Sequence, residues 1–146
     1  MRLLKPIDEQ PAYAELVCRS AFSFLEGASK PEELVDQAVE LGLPALAITD
    51  RDGVQGVVRA HARVRELVRT GRIEEGSFHL IIGSMLSVEG LGQIVLLAED
   101  RHGYGNLCAL VTRGRRRVPK GECLVRASDL GDFADGLMAL LPDLDT

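Results

Sequence analysis

The chain has no long apolar stretch. Its hydrophobic runs are a handful of residues each, far too short to cross a bilayer, and the opening Met1-Arg-Leu-Leu-Lys-Pro6 leads into charged residues rather than an apolar signal core. A cytoplasmic location, away from membranes, is the resulting expectation. Cysteine is scarce as well: Cys18, Cys108 and Cys123 form neither an even set nor a C-x-x-C pair, so neither a disulfide framework nor a zinc knuckle is suggested. Positive charge is in deficit, with 17 Lys and Arg against 22 Asp and Glu. A net charge of -5 argues against a whole-surface grip on nucleic acid and confines any such grip to a local basic patch. Internal repeats and low-complexity tracts are missing too, so 146 residues read as one ordinary globular unit.

What is there is organised around Ala45-Leu-Ala-Ile-Thr-Asp50-Arg51-Asp-Gly-Val54. An apolar run stops at Thr49-Asp50, meets a glycine turn and opens into an amphipathic segment, which is how a buried strand hands over to a helix. In α/β folds that carboxyl end of a strand is where sites sit, which makes Asp50 the best-placed polar residue in the sequence.

Taken in order, residues 1–12 read as an N-terminal arm, and residues 13–20 have the composition of a strand. Ser29-Lys-Pro-Glu32 has the spacing of a capping box and starts a helix carrying Leu34, Ala38 and Leu41 on one face, closed by Gly42. The strand ending at Asp50 is followed by Val54, Val57, Val58, Val64 and Val68 at helical spacing as far as Gly71. Strands are expected over 78–88 and 94–98, a helix over 101–111, one helical turn at 127–130 and a last strand over 136–141. Arg113-Gly-Arg-Arg-Arg117-Val-Pro-Lys120 is the dense basic run. It reads as a solvated loop, with Arg113, Arg115, Arg116 and Arg117 as candidate nucleic-acid contacts. Strands alternating with helices predict an α/β fold with a mostly parallel sheet, and the last strand, with no helix after it, points to part of a barrel.

A metal site on such a scaffold needs three or more nitrogen or oxygen ligands converging from several strand ends. Only Asp50 and Glu26 could ligate a cation there, and Arg19 and Arg51 bring positive charge to the same place. Each arginine is better suited to a salt bridge with Asp50 or Glu26.

Glu15-Leu-Val-Cys-Arg-Ser-Ala-Phe-Ser-Phe-Leu-Glu-Gly-Ala-Ser29, Leu46-Ala-Ile-Thr-Asp50, Ile81-Ile-Gly83 and Val95-Leu-Leu-Ala98 with Gly103-Tyr-Gly-Asn-Leu107 together resemble the start of a PHP (polymerase and histidinol phosphatase) domain. The likeness is to the version that opens bacterial C-family DNA polymerases of the error-prone branch. It implies a partial (β/α)7 distorted barrel with helices outside, residues 13–146 being the N-terminal half. The family uses zinc or manganese. Its histidine-x-histidine falls on Val17 and Arg19, its next aspartate on Glu26, its aspartate-histidine on Asp50 and Arg51, its third-strand glutamate on Met85 and a further histidine on Gln93. The metal site is therefore expected to be degenerate, with Asp50 and Glu26 as residual positions, no catalytic residue and no cofactor. His61, His79 and His102 fall on none of these positions. The resemblance implies a non-catalytic part of a DNA polymerase acting in replication or lesion-tolerant repair, partnered by the remainder of the polymerase or other replication proteins and by DNA. The alternatives are an active metal-dependent phosphoesterase or exonuclease, and a stand-alone module that self-associates.

Overall fold

Residues 12–142 are described in the computed structural model. The expected N-terminal arm lies almost wholly outside them. A sheet forms the centre, built from β1 (Ala45–Arg51), β2 (His79–Glu89), β3 (Gly92–Ala98), β4 (Val125–Arg126) and β5 (Leu137–Leu140), with helices α1 (Pro31–Glu40), α2 (Val57–Arg69), α3 (Arg101–Arg116) and α4 (Ala127–Phe133). β1 runs parallel to β2 and β4 continues that edge parallel to the far end of β2. β2 and β3 form an antiparallel hairpin, and β5 pairs antiparallel with β3. The α/β class and its parallel strands stand, but the sheet is mixed rather than mostly parallel. The reason is local: Gly90 and Gly92, both in the left-handed region, fold β2 directly back on β3, leaving no room for a crossover helix.

The expected first strand, residues 13–20, is not a regular strand. It touches the sheet through a bridge from Glu15 to Leu46 and through Thr49 N–H donating to the Cys18 carbonyl at 2.7 Å. Thr49 also spends its hydroxyl on the Cys18 amide, 2.9 Å, which breaks the ladder there. Helix α1 starts one residue later than expected, at Pro31: Lys30 occupies the cap and Glu33, not Glu32, reaches back to the Lys30 amide at 2.8 Å. Helix α3 overruns its expected end by more than a turn, so Arg113, Arg115 and Arg116 are helical rather than in a loop. Arginine is a good helix former, and the chain leaves the helix only as Pro119 approaches.

Strand alternation divides the sheet into two faces. Leu46, Ile48, Leu86, Ile94 and Leu96 point to the side covered by helices, where Val35, Ala60 and Leu67 pack from α1 and α2 and Leu107 and Leu110 from α3. Ala47, Met85, Val95 and Leu97 point the other way into a smaller cluster joined by Leu16, Ile81 and Leu140. All three long helices therefore lie on one face, and a barrel segment likewise keeps its helices on one side of the sheet. No described helix is long and apolar enough to cross a membrane.

Candidate functional site

The site is built where β1 ends against the 20–29 loop. Asp50 is fully buried, and both of its oxygens act as acceptors. Oδ1 takes the Ser20 amide at 2.7 Å and the Ser23 hydroxyl at 2.7 Å, and Oδ2 takes the Ser20 hydroxyl at 2.8 Å. Ser23 in turn accepts the Arg51 amide at 2.9 Å. A side chain on Gly56 would stand 2.7 Å from Asp50 Oδ2, so the chain entering α2 can close over this carboxyl only with glycine there. The sequence flagged Asp50 but not Ser20 and Ser23; two serines three apart after a strand are the pattern of a turn, and nothing in their spacing names their acceptor.

Register decides what Asp50 can join. It pairs with Ser84 on the helix-covered face, whereas Arg51 pairs with Met85 on the inner face. Asp50 and Glu26 are therefore not brought into one ligand set: the oxygens of Asp50 are spent on the loop, and those of Glu26 lie with the inner-face residues. Glu26 Oε2 meets Arg19 Nη1 at 3.1 Å and Glu26 Oε1 meets Arg51 Nη1 at 2.8 Å. Arg19 also donates to the Met85 sulfur at 2.8 Å. Gln93 lies on the same face, two residues from Val95, while Val17 is exposed. Of the positions singled out by resemblance, four are brought together, as two guanidiniums, a thioether and one carboxylate already bridged by both arginines, while Asp50 lies on the other face. That donor set does not fit a zinc or manganese ion, and among the described residues no group of three His, Cys, Asp or Glu could hold one. Hydrogen bonding to Glu26 pushes the Arg51 guanidinium above its ordinary value, so it is a permanent cation.

Asp52 closes the turn in the left-handed region at φ 53°. Its amide donates to the Met85 carbonyl at 2.9 Å, and Arg115 of α3 donates to the Asp52 carbonyl through both Nε and Nη2. Asp52 Oδ1 is buried with no hydrogen-bond partner among the described residues, and burial pushes this carboxyl above the usual range against the pull of Arg51 and Arg115. Cys18, beside Asp50, has its thiol pushed up to about 11 by burial first and by Glu15 and Asp50 next. It is a protonated, unreactive thiol near neutral pH.

The arginine run is spent largely inside the fold. Arg117 grips Asp129 at 2.7 and 3.1 Å, Arg113 meets Asp132 at 2.7 Å and lies 4.5 Å over the Phe133 ring, and Arg115 holds the Asp52 turn. Arg116 is exposed, with no ion pair among the described residues.

A mixed α/β sheet with its long helices on one face and a salt-bridged cluster at the strand ends of the other defines the class. In agreement, the PHP domain family model matches residues 15–146, and the chain belongs to that family. Within it, the chain is 46% identical over 149 residues to an error-prone DNA polymerase of Anaeromyxobacter sp. (strain K), covering 92% of this chain and 12% of that protein. It is 49% identical over 130 residues to an error-prone DNA polymerase of Aromatoleum aromaticum, covering 88% of this chain and 11% of that protein. The chain thus spans about an eighth of the length of these relatives. Among solved structures, an amidohydrolase from Chromobacterium violaceum with bound sulfate and no metal matches at a TM-score of 0.52 and 29% identity, over 72% of this chain and 34% of that one. A solved protein of Bifidobacterium adolescentis shares the fold at a TM-score of 0.53 and 24% identity, over 74% of this chain and 35% of that one.

Proposed function

We propose that this chain serves as a structural PHP module of an error-prone DNA polymerase and carries no hydrolytic chemistry of its own. One observation supports this reading above the rest: the Glu26 carboxylate is held between Arg19 and Arg51, and Arg51 also lies 3.5 Å from Asp52. Two unit charges about 4 Å apart interact by about 4 kcal/mol at an effective dielectric near 20, and a divalent ion would meet twice that from each arginine. Those are upper figures at a half-exposed site, yet they oppose binding where a metal enzyme needs attraction. The guanidiniums take over the neutralising role of an ion and tie the 20–29 loop to β1. The 46% identity to an error-prone DNA polymerase supports the wider role, with the polymerase supplying nucleotidyl transfer elsewhere.

The experiment is manganese-supplemented hydrolysis of bis(p-nitrophenyl) phosphate by the 146-residue chain. The expected result is no turnover above the metal-only blank, with Glu26→Gln indistinguishable from the parent. Turnover that disappears in Glu26→Gln would show an active phosphoesterase and overturn the proposal.

A further inference from the structure

Three clefts share walls along one side of the domain. Phe22, Phe24 and Arg51 line the first, of about 290 Å³. Arg115 and Gly121 belong both to it and to a second of about 450 Å³, which Lys120 also lines. Thr112 and Arg116 belong both to the second and to a third of about 600 Å³, which ends at Phe133. The shared walls join them into one track with phenylalanine at each end and basic side chains between.

Charge accounting makes this track unusual on a chain of net charge -5. Glu26, Asp132 and Asp129 neutralise Arg51, Arg113 and Arg117. Arg115 is half-buried, donates to the Asp52 carbonyl and feels the Asp52 carboxylate, which lines the first cleft and also lies 3.5 Å from Arg51, whereas neither Arg116 nor Lys120 has an ion-pair partner among the described residues. Glu122 is the one carboxylate lining the second cleft. Among the described residues, Arg116 and Lys120 thus face solvent without an ion pair, on a track that has aromatic rings at its ends.

The aromatic end is presented, not left over. Phe24 is 84% and Phe22 43% exposed, yet Ser23 between them is buried and tied to Asp50 and to the Arg51 amide. Leu25 follows at φ 64°, a left-handed conformation that an L side chain enters at a cost of about 1 kcal/mol or more. A loop pinned from below and strained at its tip holds its rings in place before any partner arrives.

We propose that this side of the domain is a binding track for single-stranded nucleic acid. Bases stack on Phe22 and Phe24, and successive phosphates meet Arg116 and Lys120. Rings with a basic groove are the chemistry that recognises unpaired strands without reading sequence, since every base has a stacking face. The inference is independent of whether the inner face holds a metal.

The test is fluorescence anisotropy of a labelled oligodeoxythymidylate titrated with the 146-residue chain. Saturable binding is expected, with log affinity falling against log salt at a slope of about -1.4 for two neutralised phosphates of a single strand. Arg116→Glu with Lys120→Glu should cut affinity about tenfold or more and flatten that slope. Phe24→Ala should cut affinity roughly tenfold and leave the slope alone. These side chains are exposed and have no ion-pair or hydrogen-bond partners among the described residues, so unfolding midpoints should not move. No saturable binding at about 50 mM salt, equal or better binding of the matching duplex, or indifference to both sets of substitutions would each overturn the proposal.

Discussion

Replacing Asp50 with alanine removes one acceptor and leaves three donors. Of these, the Ser20 and Ser23 hydroxyls can rotate, and they still accept the Phe22 amide at 3.2 Å and the Arg51 amide at 2.9 Å. The Ser20 amide cannot move without the backbone and is orphaned in a place where Ser20 is fully buried. An unsatisfied buried donor costs about 1–3 kcal/mol, and the void left by the carboxyl costs about 1 kcal/mol more. A loss of about 3 kcal/mol follows, against relief from burying a carboxyl with no adjacent cation. For a chain of this size that lowers Tm by roughly 6–12 °C. Asp50→Asn keeps the shape and one acceptor, so its loss should be near 1 kcal/mol. Urea unfolding followed by circular dichroism measures both, and limited proteolysis should show the 20–29 loop cut earliest in Asp50→Ala. A loss under about 0.5 kcal/mol for Asp50→Ala, the range of ordinary surface changes, would refute the view that this carboxyl anchors the loop.

Three further outcomes follow from the same geometry. A Cβ on Gly103 would fall 1.8 Å from the Gly136 carbonyl oxygen, so Gly103→Ala should cost about 3 kcal/mol or more, or prevent folding, as read by thermal unfolding. Asp129 is held well below the usual carboxylate range, first by Arg117 and then by the Arg126 amide. Its contribution is present above the unfolded value near about 4 and is lost as pH falls from there toward the depressed folded value; Asp129→Asn should flatten this part of the acid limb of stability against pH. Burial raises the Asp52 carboxyl, so its penalty is full above the folded pKa and vanishes below the unfolded one. Asp52→Asn should therefore be at least as stable as the parent at neutral pH, with the difference shrinking in acid.

Much of the framework was legible because hydrophobic period and glycine punctuation acted together. Gly42 closes α1 in the left-handed region where the pattern ends, and the run before Asp50 is β1 nearly to the residue. The failures have physical causes. Residues 13–20 have strand composition but meet only one neighbour, and Thr49 diverts a hydrogen bond to its side chain. The antiparallel pairing of β2 and β3 is not legible in the sequence, because two buried strands without polar alternation read like parallel ones. The arginine run reads as a loop because charge density hides a helical face; Gly114 is buried within it and Arg115 points inward to Asp52.

The same limit applied at the site. Asp50, Glu26, Arg19 and Arg51 were all visible as chemistry, but the pairing partner of each arginine stayed open between the two carboxylates. The alternation of β1 settles it: Asp50 turns toward the helices and Arg51 away from them, so Glu26 takes both guanidiniums. Ser20 and Ser23 carried no signal, since a hydroxyl names its partner only once the chain is folded.

The most direct measurement is calorimetric titration of zinc and of manganese into the 146-residue chain, with metal content after dialysis read by elemental analysis. Heats no larger than dilution and far less than one ion per chain are expected, unchanged by Glu26→Gln. One or more ions bound tightly per chain, and released by Glu26→Gln, would contradict that expectation.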